Sequence, residues 1–352
     1  MLKKNHIVLI GAITLPLLIT GCSSSTTTAP VVPSAYNVTP MVSDTAGFGA
    51  TVIDTNLKNP WGMVNAPSSK FFVSNNHASG IGEYDPATGA HAAEFAIPGT
   101  KGTNPTGIVY NSDATSFVIA GSGSSTYIFA SEDGIIWGLS NTSLGVSIGI
   151  DESATSSFKG IALGSRNGSP ALYAANFKNG SLDLFDNHFA RVGQFGDTIS
   201  GASAIPGGAT GFAPFNATVL NGTLYVTYAK QKGDGDDLAG PGFGYIDIFN
   251  ADGTFQKRFA SQGALNSPWG IAIAPDGFGD QKGKLLVGNF GDGKINVYDP
   301  SNGNYIGPLK DAAGAAITIS GLWSLYVSNG VLYYTAGPST ENHGVLGKIT
   351  VK

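Results

Sequence analysis

The side chains with the most chemical potential recur at one position of a repeated motif. Asn59-Pro60-Trp61-Gly62 returns almost unchanged as Ser267-Pro268-Trp269-Gly270, and looser copies occur elsewhere. The third residues of the six copies are Trp61, Thr106, Lys159, Phe215, Trp269 and Trp323. Aromatic faces collected at one place could stack on a sugar or another planar ligand. The alternative is that these rings pack between neighbouring repeats and supply buried apolar area.

Polar residues at corresponding turns of the repeats form a second candidate set. Its members include Asn76, Glu132, Asp133, Asn176 and Asn289. Asn and Asp at turns usually support the backbone, whereas Glu is not a turn former, so Glu132 stands out. Lys159 must reach solvent or meet a carboxylate such as Glu132 or Asp133, because an unpaired buried ammonium is costly. We predict that this set and the repeated ring positions form a ligand-binding surface.

Two groups of residues could hold a metal ion. His77, His343 and Glu341 come from the first and last repeats, which neighbour each other if the repeats close into a ring, and they suggest a metal site. Asp234 and Asp236 lie in an acidic loop that could bind Ca²⁺, although the terminal Glu and flanking helices of an EF-hand are missing. A solvated acidic loop is the alternative. No other cofactor is indicated, and no G-x-S-x-G, H-E-x-x-H or G-K-[ST] motif assigns a catalytic residue.

The spacing of the motif predicts the architecture that positions these residues. The steps between the six ring positions are 45, 53, 56, 54 and 54 residues, which is typical of a repeat protein. The fifth repeat reads as four short strands at residues 269–274, 284–290, 294–298 and 305–309, joined by tight turns. Four antiparallel strands make one blade of a propeller. We predict an all-β protein, a six-bladed β-propeller.

The last repeat has only three strands before the chain ends at Lys352. We predict that Tyr36 to Ser43 supplies its outer strand and closes the ring, which leaves no open edge between the first and last blades. No linker interrupts residues 36–352, so they are expected to form a single domain.

The composition narrows the classes of function. The chain has 352 residues, 50 Gly, a charged fraction of 12% and a net charge of −5. An acidic body without a basic stripe argues against nucleic acid as a partner. A single Cys means that no internal disulfide forms.

The N-terminus predicts export and membrane attachment. Lys3 and Lys4 precede an apolar run at residues 7–19 that is too short to span a bilayer, as in a signal peptide. The run ends at Cys22 in a sequence that resembles the bacterial lipobox, whose Cys is lipidated. Residues 1–22 are therefore predicted to be a lipoprotein signal peptide, and residues 23–35 a flexible Ser/Thr/Pro tether. Ser23, instead of Asp, implies the outer membrane of a Gram-negative host, on its periplasmic side or its surface.

The motif order also carries a family resemblance. NPWG, NFGDG, SGLW and YTAG, in this order, resemble an uncharacterised family of exported bacterial six-bladed propellers, distantly similar to NHL-repeat propellers. The resemblance covers about residues 36–350 and implies the fold and export. It brings no catalytic residue with it.

These observations favour a binding module over an enzyme. We predict a lipid-anchored envelope propeller that holds a glycan, a small ligand or an envelope protein through the loop face around its channel. The alternative is a metal-assisted hydrolase or lyase that acts on an envelope carbohydrate or lactone. A third interpretation is a scaffold whose aromatic ring serves packing only.

Overall fold

The computed structural model describes Met1 and residues 33–65, 69–140, 145–195, 211–233 and 235–352. The predicted signal peptide beyond Met1, Cys22 and most of the predicted tether lie outside the described residues. The unit analysed below is Ser34–Lys352. Within the described residues, no helix has the length and apolar character that crossing a membrane requires.

Six antiparallel sheets follow one another along the chain, and 27 strands are described in all. The strands are β1 (Tyr36–Ser43), β2 (Val52–Ile53), β3 (Pro60–Asn65), β4 (Phe71–Asn75), β5 (Gly80–Tyr84), β6 (His91–Ala96), β7 (Pro105–Tyr110), β8 (Val118–Ile119), β9 (Gly123–Ser124), β10 (Tyr127–Ser131), β11 (Ile135–Leu139), β12 (Val146–Asp151), β13 (Phe158–Arg166), β14 (Ser169–Asn176), β15 (Ser181–Phe185), β16 (Arg191–Phe195), β17 (Phe212–Leu220), β18 (Thr223–Lys230), β19 (Gly244–Phe249), β20 (Phe255–Ser261), β21 (Pro268–Ile273), β22 (Leu285–Asn289), β23 (Ile295–Tyr298), β24 (Tyr305–Pro308), β25 (Leu322–Ser328), β26 (Val331–Ala336) and β27 (Val345–Val351). Two short 3₁₀ turns span Asn76–Ala78 and Gly279–Gln281.

The sheets are the blades of a six-bladed β-propeller, as predicted. The inner strands of blades one to six are β3, β7, β13, β17, β21 and β25. Each is followed outward by the other strands of its blade. The segment near Phe117 that does not fit the blade pattern forms a separate hairpin, β8 with β9.

The N-terminal strand closes the ring. β1 pairs antiparallel with β27, from Tyr36 opposite Val351 to Ser43 opposite Val345, so the prediction for this segment is confirmed. β2 adds a short parallel strand outside β1, which the sequence analysis did not predict. The Tyr36 hydroxyl donates a hydrogen bond of 3.0 Å to the Phe278 carbonyl oxygen, and its ring lies 4.6 Å from that of Phe278. These contacts fasten the closing strand to blade five as well.

Apolar layers between neighbouring sheets form the core. Between blades three and four, for example, Tyr173 and Leu184 pack with Val226 and Phe249. The alternation of strand side chains presents one row to each neighbouring blade, so every sheet is covered on both faces. This explains why the middle strands of the blades are buried along almost their full length.

The glycine that follows the ring residue sets how closely the inner strands approach each other. A Cβ at Gly62 would lie 2.6 Å from the Thr106 carbonyl oxygen, and one at Gly107 would lie 2.6 Å from the Ile161 nitrogen. A Cβ at Gly270 would lie 2.5 Å from the Trp323 carbonyl oxygen. In each case the obstacle is the backbone of the next inner strand, which cannot rotate away. The Trp-Gly pair of the motif is therefore a packing requirement of the closed ring.

Gly107→Ala is expected to destabilise the protein by about 1–3 kcal/mol, because the added methyl group forces two inner strands apart. Gly277→Ala is the matched control, since its Cβ would meet no atom within 4 Å, and its effect should stay within about 0.5 kcal/mol. Urea unfolding of the three proteins measures both changes. Equal stability of the two variants would contradict the close-approach explanation.

Candidate functional site

The candidate site lies where the inner strands begin, an end called here the upper face. The loops that join the second and third strands of each blade reach the same end. In five blades the first residue of this loop donates its backbone N–H to a carbonyl two residues before the ring position. The pairs are Asn76 with Asn59, Glu132 with Asn104, Phe177 with Ser157, Phe290 with Ser267, and Gly337 with Gly321. This repeated bond holds the ring residues and the first loop residues at one level.

The aromatic ring residues fill the channel at this level. We call Trp61, Phe177, Phe215, Trp269, Phe290 and Trp323 the aromatic plug. The Trp61 and Trp323 rings stack at 3.6 Å, Phe290 stacks on Trp323 at 4.0 Å, and Trp269 stands edge-on to Trp61 at 6.3 Å.

The three Trp rings of the plug are buried and present no open stacking surface on this face. Trp61, Trp269 and Trp323 are only 1–3% exposed, and Phe215 is fully buried. Thr106 is buried as well, and its hydroxyl donates to the Phe158 carbonyl oxygen at 2.9 Å. The rings find their best partners in each other, because closing six repeats brings them within stacking distance around one axis. The packing interpretation describes these positions.

Lys159 is the charged member of the ring and is 3% exposed. Its ammonium lies 2.5 Å from Glu132 Oε1 and 3.5 Å from Asp236 Oδ1. It also lies 5.4 Å from the centre of the Trp61 ring. Burial by itself would lower the pKa of Lys159, but Glu132 and Asp236 favour the ammonium and leave that pKa raised. The predicted pairing of Lys159 with Glu132 is therefore present in the structure.

A chain of hydrogen bonds crosses the top of the plug from blade six to blade three. Asn59 Nδ2 donates to Glu341 Oε2 at 2.7 Å and to Asn76 Oδ1 at 3.4 Å. Asn76 Nδ2 donates to Glu132 Oε2 at 3.1 Å, and Glu132 binds Lys159. We call these five residues the mouth network. Trp323 is tied to it, because its Nε1 donates to Asn59 Oδ1 at 2.9 Å.

Glu341 enters this network from a strained turn. Ser339, Thr340 and Glu341 have φ values of 58°, 53° and 65°, a left-handed conformation that non-glycine residues rarely adopt. Gly337 at the start of the turn leaves room for Asn59, since a Cβ there would lie 2.1 Å from Asn59 Oδ1. Burial, with the negative charges of Glu132 and Asp236, raises the pKa of Glu341 to about 7. The turn therefore holds a carboxyl group that changes charge near neutral pH.

A cleft of about 1270 Å³ opens above the network, over blades two to four. Glu132 and Lys159 lie at its inner end, and Asp133 and Asp236 also line it. The rest of its described wall is mostly polar and comes from the segments 100–104, 153–157, 177–178 and 231–233 and from Gly235. Of the predicted binding residues, the cleft thus collects Glu132, Asp133 and Lys159.

Asn176 and Asn289, by contrast, support the fold. Both are fully buried. Asn176 Nδ2 donates to Ser156 Oγ at 2.9 Å and to Asp183 Oδ2 at 2.8 Å, and Asn289 Nδ2 donates to the Ala264 carbonyl oxygen at 2.8 Å. The local backbone and neighbouring side chains occupy their amide nitrogens, and neither residue lines the upper cleft.

The predicted metal ligands are not brought together either. His77 is exposed, His343 Nδ1 lies 2.9 Å from Asp44 Oδ2, and Glu341 binds Asn59. Asp236 pairs with Lys159, and Asp234 lies outside the described residues. In the part of the chain that the structure describes, no three His, Cys, Asp or Glu side chains are arranged to hold a metal ion.

Asn59 is the residue of the network that the sequence analysis did not consider as a site residue. It belongs to the repeated motif itself, two positions before Trp61. Asn76, which belongs to the candidate loop set, is the loop residue equivalent to Glu132.

Glu341→Gln tests the charge of the mouth network. The folded pKa of about 7 exceeds the ordinary value of 4.5, so the stabilisation from this group is complete below pH 4.5 and lost as the pH rises through 7. The variant should match the wild type near pH 4.5 and be more stable at pH 8, by about 3 kcal/mol at most. Urea unfolding at both pH values measures this, with Glu83→Gln of strand β5 as control. A difference that does not change with pH would contradict the assignment.

Comparison with solved structures places the architecture among known propellers. A virginiamycin B lyase from Staphylococcus aureus superposes with a TM-score of 0.56 at 11% identity, over 90% of this chain and 100% of the lyase. A streptogramin B lyase superposes with a TM-score of 0.53 at 13% identity, over 90% of this chain and 97% of that chain. At such identities the likeness shows the fold alone.

Sequence comparison finds relatives in a giant virus. No protein-family model matches the chain. "Uncharacterized protein R648" of Acanthamoeba polyphaga mimivirus is 31% identical over 314 residues, which cover 84% of this chain and 76% of the viral protein. "Uncharacterized protein L690" of the same virus is 31% identical over 311 residues, covering 84% and 81%. The chain belongs to the same family as these two mimivirus proteins.

Proposed function

We propose that this protein is a binding propeller of the cell envelope, and that its upper cleft holds a glycan. The observation that carries the proposal is the ion pair between the buried Lys159 and the partly exposed Glu132 in the wall of a polar cleft. Burying a charged pair is expensive and often contributes little to stability. Such a pair in a cleft is therefore a candidate for a binding function.

The chemistry of the cleft wall supports a polyhydroxylated ligand. Hydroxyl groups of Thr100, Ser153 and Ser157 alternate with the amides of Asn104 and Gln231. The charged groups that line it carry both signs, so neither strongly anionic nor strongly cationic ligands are favoured. Sugar hydroxyls donate and accept hydrogen bonds and match such a mixed wall. Its volume of about 1270 Å³ is large enough for more than one sugar unit.

Attachment to the envelope is the second part of the proposal. The apolar run at residues 7–19 and the lipobox-like sequence before Cys22 support export and lipidation at Cys22. Residues 23–35 would then separate the propeller from the lipid surface, on the periplasmic side or the outer surface of an outer membrane. The glycan would belong to the envelope or to material at the cell surface.

A hydrolase or lyase that acts on an envelope carbohydrate or lactone is the second candidate function. Glu341 favours it, because a carboxyl group with a pKa of about 7 can give and take protons at neutral pH. Lys159 would supply positive charge for an oxyanion on the same face. Turnover of a bound glycan that Glu341→Gln abolishes, while binding is kept, would establish this function.

Lys159→Met is expected to weaken glycan binding at least tenfold, because it removes the central ammonium of the cleft. Methionine keeps most of the buried volume but leaves Glu132 without its ammonium, so urea unfolding first verifies that the variant is folded. Lys284→Met, which breaks an ion pair with Asp299 in blade five, is the matched control. A glycan array followed by calorimetry on the best ligand measures the effect. If the wild type binds no glycan, or both variants bind equally, the proposal fails.

Cys22→Ser should move the protein from the membrane fraction to the soluble fraction of its bacterial host. The physical reason is the loss of the acyl chains, each buried CH₂ of which contributes about 0.8 kcal/mol. Ser23→Ala is the control and should stay in the membrane fraction. A Cys22→Ser protein that remains membrane-bound would contradict lipid anchoring through this residue.

A further inference from the structure

A second cavity of about 540 Å³ occupies the channel on the other side of the aromatic plug. All six inner strands line it, from the residues just after the ring positions to the strand ends such as Asn65, Tyr110 and Val327. Trp269 contributes to its wall. We call it the lower cavity. It is distinct from the upper cleft, because the two share no lining residue.

The lower cavity differs from the upper cleft in charge. None of its described lining residues is Asp, Glu, Lys, Arg or His. Its wall includes the half-buried aliphatic side chains of Leu163, Val219, Ile273 and Val327. Half-exposed aliphatic side chains gathered around one space favour an apolar occupant, since covering them removes apolar area from water.

The backbone supplies the hydrogen-bonding groups of this cavity. Each inner strand is the edge strand of its sheet, so the N–H and C=O groups on its channel side take no part in the sheet ladder. Asn65, Thr218 and Asn221 add uncharged polar side chains. A ligand that carries a few carbonyl or hydroxyl groups can therefore bind while its apolar body contacts the aliphatic wall.

We propose that the lower cavity is a second binding site, specific for an uncharged, mostly apolar small molecule with a few hydrogen-bonding groups. A charged molecule would lose hydration there and meet no opposite charge on the described wall. The volume of the cavity lies in the range of small-molecule sites. The close approach of the inner strands and the aromatic plug close its upper end, so the molecule enters from the face where the inner strands end.

Two fluorescent probes that differ in one charge test this proposal on the purified full-length protein. N-phenyl-1-naphthylamine is neutral, whereas 1-anilinonaphthalene-8-sulfonate carries a sulfonate on nearly the same ring system. The neutral probe should bind with saturation at one site per chain and with blue-shifted emission. The sulfonate should bind at least tenfold more weakly. Equal affinity for both probes, or no saturable binding of the neutral one, would overturn the proposal.

Substitutions locate the probe in the cavity. Ile273→Glu places a charge on the wall of the lower cavity, and Thr218→Trp fills part of the cavity without adding charge. Each substitution should weaken binding of the neutral probe at least tenfold. Val192→Glu is the control, because Val192 is exposed on β16 and lines neither cavity. Urea unfolding verifies that each variant is folded. If Ile273→Glu does not fold, the affinity of Thr218→Trp for the neutral probe decides whether the probe binds in the lower cavity. A Val192→Glu effect as large as that of the folded cavity variant would mean surface adsorption and refute the proposal.

Lys159→Met separates this site from the upper cleft. The affinity of this variant for the neutral probe should stay within twofold of the wild-type affinity, because Lys159 does not line the lower cavity. A tenfold loss in this variant would contradict independent sites. Loss of glycan binding with retained probe binding is the result expected for two independent sites, whereas a wild type that binds the probe but no glycan would refute the proposed function alone.

Discussion

The closed ring depends on how near the six inner strands come to one another. At Gly62, Gly107 and Gly270 the backbone of the next strand occupies the place where a Cβ would stand. A Cβ at these positions could not be accommodated by a change of rotamer, because the atoms that it would meet belong to the backbone. The spacing between blades, the position of the plug and the depth of both cavities all follow from it.

The mouth network above the plug follows from the closure of the ring. Closing the ring buries Lys159 almost completely, and a buried ammonium needs a carboxylate as its partner. Glu132 supplies it from the neighbouring blade, and Asn76 and Asn59 satisfy the second oxygen of Glu132 and extend the bonds to Glu341. The network crosses the junction of the first and last blades, so it joins the two ends of the ring beside the closing strand. A strained turn at Glu341 is retained in the midst of this network.

The two ends of the channel therefore have different chemistry within one fold. The upper face combines a mixed-charge cleft with a carboxyl group that titrates near neutral pH. The lower cavity has an uncharged wall among the described residues. The relatives in a giant virus show that the family includes viral proteins.

The sequence by itself determined the repeat, the number of blades and the strand that closes them. A period near 54 residues and an alternating pattern are local signals, and Tyr36–Ser43 was the segment available for the missing strand. It also predicted that Lys159 would either reach solvent or meet a carboxylate, and the structure shows the second outcome. Only the tertiary structure decided which faces are open. The partners of Trp61 and Asn59 are Trp323 and Glu341, more than 200 residues away, and no local pattern records that their side chains point toward each other. Asn176 instead binds Asp183, which lies on the next strand of the same blade. His343 meets Asp44 only because closure of the ring brings the two ends of the chain together.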